Sequence, residues 1–327
     1  MSDFFATVFV WFTTIILSNT SIYDPYWSVA PPVYFTIFFF NHFNFDLFSN
    51  DKKYEFAFSL LILIAQGCKL ALLIITWIWG IRLTLNWMTD FTSLARQDWR
   101  YSKFKDSCPF LIWHIINFFG LQLVPTIIVF LAMLPGYEIM NFTSDSIFLN
   151  TLHEYFVNNQ KITICSILNV NINTFAFINA SLLLFGAFLS MIGIILEHYG
   201  DIQLREFRKN PENKGKVCNK GLWSYSRHPN YLGEIMIWWG VYIMASPILL
   251  LTSLQDGEQN NNSLNCSDNF LCKFDLGKFK NWPIGAIANT LLFLCVSIPL
   301  MEGRQLKNKP SYAEYKKKTG MLIPKLF

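Results

Sequence analysis

Ser226-Arg227-His228-Pro229-Asn230-Tyr231-Leu232-Gly233-Glu234-Ile235 runs directly into the apolar stretch Met236–Leu251. A guanidinium, an imidazole, a carboxamide, a phenol and a carboxylate thus stand at the mouth of a segment long enough to cross a bilayer. An ionised side chain at bilayer depth costs roughly 2.5–3.5 kcal/mol on insertion scales, so such residues face a cavity or a partner rather than lipid. Pro229 suits the first helical turn, where its missing N–H leaves nothing unpaired. Arg227 and His228 then sit at the N-terminal mouth of that helix, an electropositive place for an anionic ligand. Asn230 and Glu234, four apart, share one face. Glu234 requires a cavity, a partner or a proton.

Outward from this stretch the composition is that of a membrane protein. Apolar residues make up 53% of the 327, and only 15% are charged, against about 25% in soluble domains. They cluster into candidate spans at Phe4–Leu17, Pro31–Phe48, Ala57–Gly80, Pro109–Leu134, Ile162–Leu196, Tyr231–Leu251 and Trp282–Leu300. The first is short and the fifth long, so an all-α bundle of about seven spans in a single membrane domain is expected. Phe4–Leu17 lacks a basic leader and a small-residue cleavage site and reads as a helix.

Of the 26 Lys and Arg residues, 19 fall in Arg82–Lys105, Arg205–Arg227 and Arg304–Lys325. Seven spans put these three segments on one side, and the positive-inside rule makes that side cytosolic, with the C-terminus. The polar stretch 252–281, which holds Cys266 and Cys272, reads as a loop insertion on the opposite, oxidising side, where the two thiols could pair. No cysteine–histidine spacing suggests a metal, and no Gly-rich phosphate loop occurs. No nucleic-acid partner is expected.

The basic segments also carry distinctive polar side chains. Trp79 and Arg82 share a face at the end of the third span. Taken alone, Arg82 would snorkel to the headgroups while Trp79 joins the interfacial aromatic belt. Asp98-Trp99-Arg100-Tyr101 reads in isolation as a solvated loop with a surface ion pair. Asp201, Arg205 and Arg208 align on one helical face, where an Asp–Arg pair could stabilise the helix end or orient guanidiniums toward phosphate. Tyr312 and Tyr315 share a face of a short helix whose lysines suit anionic headgroups.

In this order, Asp24-Pro25-Tyr26-Trp27-Ser28, Trp79-Gly80-Ile81-Arg82-Leu83, Asp98-Trp99-Arg100-Tyr101, Asp201-Ile202-Gln203, Gly221 through Glu234, Tyr312-Ala313-Glu314-Tyr315 and Leu322-Ile323-Pro324 resemble the steroid 5-alpha-reductase superfamily. The likeness is to its broad branch of multispanning proteins, and residues 200–327 resemble the C-terminal region of that family. The resemblance implies a helical bundle with a cytosol-facing NADPH cavity and a lipid or sterol-like substrate reduced at a carbon–carbon double bond, with the endoplasmic reticulum as the default membrane. It further implies cofactor contacts by Arg82, Arg100, Asp201, Arg205 and Arg208 at the phosphates. Tyr225, Asn230 and Glu234 would contact the nicotinamide half or the helix that frames it, and Arg227, His228 and Tyr231 are further cofactor contacts. The second span lacks the Gln-Glu pair of the steroid reductases, and Trp79 stands near the place of their enone-binding Tyr. Asp24, Tyr26 and Tyr101 are the remaining candidates for a substrate-side acid. A related Arg-His-Pro-x-Tyr-x-Gly-Glu segment in isoprenylcysteine carboxyl methyltransferases holds S-adenosylmethionine, which keeps a membrane methyltransferase as the alternative.

Overall fold

A computed structural model describes residues 2–42, 56–142, 172–261 and 282–325. Among them the chain is helical, with one isolated β-bridge and no strand. In lipid, only such internal pairing satisfies the backbone. Ten helices carry the architecture. They are α1 (Ser2–Ile16), α2 (Asp24–His42), α3 (Phe56–Asp90), α4 (Trp99–Ser107), α5 (Phe110–Asn141), α6 (Ile172–Lys209), α7 (Leu222–Tyr225), α8 (Pro229–Asn261), α9 (Ile284–Asn308) and α10 (Tyr312–Lys318). α5 and α9 each contain a π-helical stretch, at Ile116–Leu123 and Phe293–Ser297.

Five of these helices are long and apolar enough to cross a membrane: Leu63–Asp90, Phe110–Asn141, Phe177–Lys209, Pro229–Leu249 and Ile284–Asn308. Among the described residues the expected count of seven is not confirmed. α1 is a shorter apolar helix, and α2 is diluted by Asp24, Pro25, Pro31 and Pro32. α8 begins at Pro229 as the sequence implies, but it continues to Asn261, so the expected loop 252–281 starts as helix. Cys266 and Cys272 lie outside the described residues.

α8 is the central element. Buried positions make up 67% of its apolar window, against 22% for α5 and α9. That difference places Glu234 in protein rather than lipid. α8 packs most extensively on α6, and α5, α9 and α3 complete its surround. The α6–α8 contact is backbone on backbone: a Cβ at Gly193 would lie 2.6 Å from the Gly233 carbonyl oxygen, and one at Gly233 would come closer still to that of Gly193. Phe35, Leu72, Ile75, Trp79, Met140, Ile237, Val241 and Met244 fill the core. Phe9, Phe40, Phe119, Phe188 and Leu291 are exposed on outward faces, as a lipid solvent requires.

The end of α3, the end of α6, the start of α8, the end of α9 and the start of α2 all lie at one end of the bundle. The short helices α4, α7 and α10 gather there too, because the polar segments of the chain connect helices at that end.

Candidate functional site

Two polar regions occupy this end, and they share Asn230. The first is a seam between α3, α6 and α8. Arg82 pairs with Glu197 and, at 3.1 Å, with Asp201. Asn86 donates to Asp201 at 3.2 Å and accepts from Arg205. Asn230 donates to the other Asp201 oxygen at 3.2 Å. One turn deeper, both Glu234 oxygens accept indole N–H groups at 2.8 Å, from Trp79 and Trp238.

Glu234 therefore has a partner, and Asn230 and Glu234 do point the same way. Trp79 is not an interfacial belt residue. It is 1% exposed, packed edge-on against Trp238, and Arg82 is buried beside it rather than snorkelling. The seam also holds orphans: Glu197 Oε2 and Arg82 Nε have no hydrogen-bond partner. Its three carboxylates, Glu197, Asp201 and Glu234, face two arginines, Arg82 and Arg205.

The second region is a cavity of about 520 Å³, counting the space open at its mouth. Leu204 and Arg208 of α6, Cys218, Trp223, the Arg227–Tyr231 stretch, Gln305 and Lys309 around the end of α9, and Tyr312 and Tyr315 of α10 line it. His228 stacks flat on Tyr231, with ring centres 5.3 Å apart. Arg208 and Lys309 form no ion pair among the described residues; Lys309 has Arg208 and Arg304 as neighbouring cations, while Arg208 feels the Asp90 carboxylate before Arg304. Burial, with the Arg208 charge beside it, pushes the Lys309 ammonium below its ordinary pKa. A cation-rich wall faced by aromatic rings fits a phosphorylated ligand with a planar group.

The floor of the cavity is a latch. Arg227 donates from Nε to Glu302 at 2.7 Å and from Nη1 to the Thr319 and Lys316 carbonyls, at 2.5 and 3.2 Å. Lys316 meets the second Glu302 oxygen at 2.7 Å, and His228 Nε2 lies 3.3 Å from the first. The Arg227 N–H bonds to Gly320, and Tyr315 donates to the Trp223 carbonyl at 2.5 Å. The helix mouth read from sequence as an anion site is thus met by a carboxylate of the chain itself, while Arg227 and His228 still line the cavity.

Beside the cavity, α4 is capped by Asp98, whose side chain accepts the Arg100 N–H at 2.8 Å and pairs with the Arg100 guanidinium at 2.9 Å. Trp99 lies 4.1 Å beneath the Arg304 guanidinium, which docks α4 on α9. Tyr101 is buried, not solvated, and donates a short hydrogen bond to Asp24 Oδ1. Burial raises the Asp24 carboxyl to about 6, against the opposing pull of Arg100 and the Tyr101 bond. Burial, then the Asp24 charge, raises the Tyr101 phenol.

Of the residues singled out from sequence, Arg82, Asp201, Arg205, Asn230 and Glu234 fall in the seam. Arg208, Arg227, His228 and Tyr231 line the cavity together with Asn230, and Asp24, Arg100 and Tyr101 lie beside it. Tyr26 stands apart, bonded to Asp3 of α1. Tyr225 is 65% exposed and joins neither region. Sequence reading missed Asn86, Glu197, Glu302 and Lys309. The first two were within reach, one helical turn after Arg82 and one before Asp201. Glu302 and Lys309 carry no such local signal.

The fold and site define a class: a multi-pass helical membrane protein with a polar cavity at one end of its bundle. A family model described as protein of unknown function (DUF1295) matches residues 54–153 and 148–254, more than half the chain, and the chain belongs to that family. That is the steroid 5-alpha-reductase-like family, in agreement with the resemblance read from the motifs. Over 61 residues the chain is 39% identical to the probable O-methyltransferase ustE of Ustilaginoidea virens, a match covering 19% of this chain and 21% of that protein. The chain thus aligns with about a fifth of the length of this curated relative. No solved structure matches it.

Proposed function

We propose that this protein is a membrane-bound, NADPH-dependent reductase of a carbon–carbon double bond in a lipid or sterol-like substrate. One observation carries the reading: Arg208 and Lys309, with Arg304 nearby, line an aromatic-walled cavity and form no ion pair among the described residues, the Asp90 carboxylate acting on Arg208 only from beyond ion-pair distance. A ligand bearing several phosphates is the chemistry that balances such a group. Arg208 and Lys309 would hold phosphate oxygens, the His228–Tyr231 stack would offer a planar face, and Asn230 would tie the cavity to the seam. Reduced nicotinamide, when bound, supplies hydride to an electron-poor carbon. The apolar bundle then excludes water and presents the lipid. The positive-inside count supports a cytosolic cavity and C-terminus, and the family default is the endoplasmic reticulum.

A second reading has its own support. The seam holds three carboxylates against two arginines, which suits a sulfonium, and the local likeness is to a probable O-methyltransferase. S-adenosylmethionine has no phosphate, so cofactor binding separates the two. Purified protein in detergent should show a thermal shift and tryptophan quenching with NADPH and neither with S-adenosylmethionine. The reverse selectivity would replace the reductase by the methyltransferase.

A further inference from the structure

Tyr225, which joins neither polar region, has company on the surface. The chain after α10 turns sharply: a Cβ at Gly320 would strike the Ile323 carbonyl oxygen, so glycine alone permits the fold-back. Three contacts fix this turn beside Tyr225. They are the Ser226–Gly320 bridge, the Arg227 N–H on the Gly320 carbonyl at 2.9 Å and the Ser226 hydroxyl on the Met321 carbonyl at 3.2 Å. Lys325 ties its far end by donating to the Lys317 carbonyl at 2.6 Å. Tyr225, Met321 and Ile323 are nevertheless exposed, Ile323 at 70%. A turn held by polar bonds thus presents apolar and phenolic side chains that no described residue covers.

Lysines flank them. Residues 310–325 carry four lysines and one carboxylate. Lys316 is paired with Glu302, and Lys318 with Glu314 at 2.7 Å. Lys325 meets a backbone carbonyl, and Lys317 forms no ion pair among the described residues. Lys317, Lys318 and Lys325 are all exposed.

The depth of this surface follows from α9. Its apolar span, Ile284–Asn308, has 25 residues. That is about 38 Å of helix against a hydrocarbon core of about 30 Å. The polar end of α9 therefore emerges among headgroups. Lys309-Pro310-Ser311 is the whole connection to α10, about 10 Å at full extension. With Lys316 and Arg227 both held on Glu302, α10 and its turn stay at headgroup depth.

We propose that Tyr225, Met321 and Ile323 insert into the leaflet at the polar end of the bundle while Lys317, Lys318 and Lys325 bind its anionic phospholipids, so that the membrane itself holds α10 against the cavity. An anionic interface suits both sets of groups. Apolar tips and a phenol enter the boundary, and ammonium groups rest on phosphates. On its other face α10 carries Tyr312 and Tyr315 into the cavity wall and the Lys316 carbonyl onto Arg227. Lipid bound outside therefore stabilises latch and cavity together. The surface serves a reductase and a methyltransferase alike.

The test places Ile323→Cys in nanodiscs of dioleoylphosphatidylcholine, or of that lipid with a third replaced by dioleoylphosphatidylglycerol. A neutral polyethylene-glycol maleimide then labels the thiol, with the wild type as the blank for native cysteines. Labelling should be at least ~10-fold slower in the anionic discs, since each lysine at an anionic surface contributes roughly fivefold. High salt should restore the rate. Adding Lys317→Gln, Lys318→Gln and Lys325→Gln should abolish the difference. These exposed changes leave Arg227 and Glu302 in place. Without Ile323→Cys, the same three changes should abolish the rise in melting temperature that the anionic lipid gives the wild type. Equal labelling in the two lipids, a difference that survives the three changes, or protection by inorganic phosphate in phosphatidylcholine discs overturns the proposal. A melting temperature that ignores the lipid, or rises equally without the lysines, overturns the hold on α10.

Discussion

Arg227 and Arg208 both border the same cavity, yet they are opposite kinds of arginine. Arg227 is 5% exposed and carries Glu302 on one side and two carbonyls on the other, so the chain has already answered its charge. Arg208 is exposed at the rim, with Lys309 as a fellow cation and no acid paired to it. Arg82, held by Glu197 and Asp201, belongs with Arg227. A basic residue in a membrane enzyme is therefore not evidence of a ligand until its intramolecular partners are known. Those that stay unpaired mark where a foreign anion fits.

The largest effect expected from this contrast is on stability. Arg227→Ala leaves Glu302 buried without its main partner and should cost roughly 3–5 kcal/mol. Thermal unfolding in detergent measures it, and a change below ~1 kcal/mol would place Arg227 with the unpaired group. Asp24 probes the contrast from the acid side. Its pKa is raised from 3.8 to about 6, so the fold favours the protonated form. Stability is then greatest below the ordinary carboxylate pKa and declines as pH rises through about 6. Asp24→Asn removes that slope and should gain up to about 3 kcal/mol over wild type above that pH, less what its partial exposure screens. Parallel melting curves of the two proteins from acid to neutral pH would contradict this.

Arg208→Ala should be the quietest of these changes for the fold, within about 0.5 kcal/mol. It should nevertheless weaken NADPH at least ~10-fold, the scale of one lost charge-assisted hydrogen bond. Lys317→Ala, on the exposed face of α10, should leave NADPH binding unchanged. Equal losses from the two would show that bulk positive charge, not a site, attracts the cofactor.

What the sequence made legible follows the range of the interactions. The helical membrane class, the start of α8 at Pro229 and the common face of Asn230 and Glu234 are local properties of spacing and hydropathy. The alignment of Asp201 with Arg205 is local as well. The partners are not: Arg82 meets residues more than a hundred positions away, and Arg227 meets Glu302 and Thr319 far down the chain. Periodicity says which way a side chain points along its own helix and nothing about what another helix brings to meet it. Trp79 shows the consequence. As a tryptophan at a helix end it looked interfacial, and only the arrival of α8 makes it a core donor to Glu234.

The latch on Arg227 also has a meaning during biosynthesis. Its acceptors at Glu302, Lys316, Thr319 and Gly320 are translated after it. At ribosomal speeds of roughly 5–20 residues per second, the wait from Arg227 to Gly320 is on the order of five to twenty seconds. For that interval the nascent bundle carries an unanswered guanidinium at its polar end, and the last helix to be made is the one that closes it.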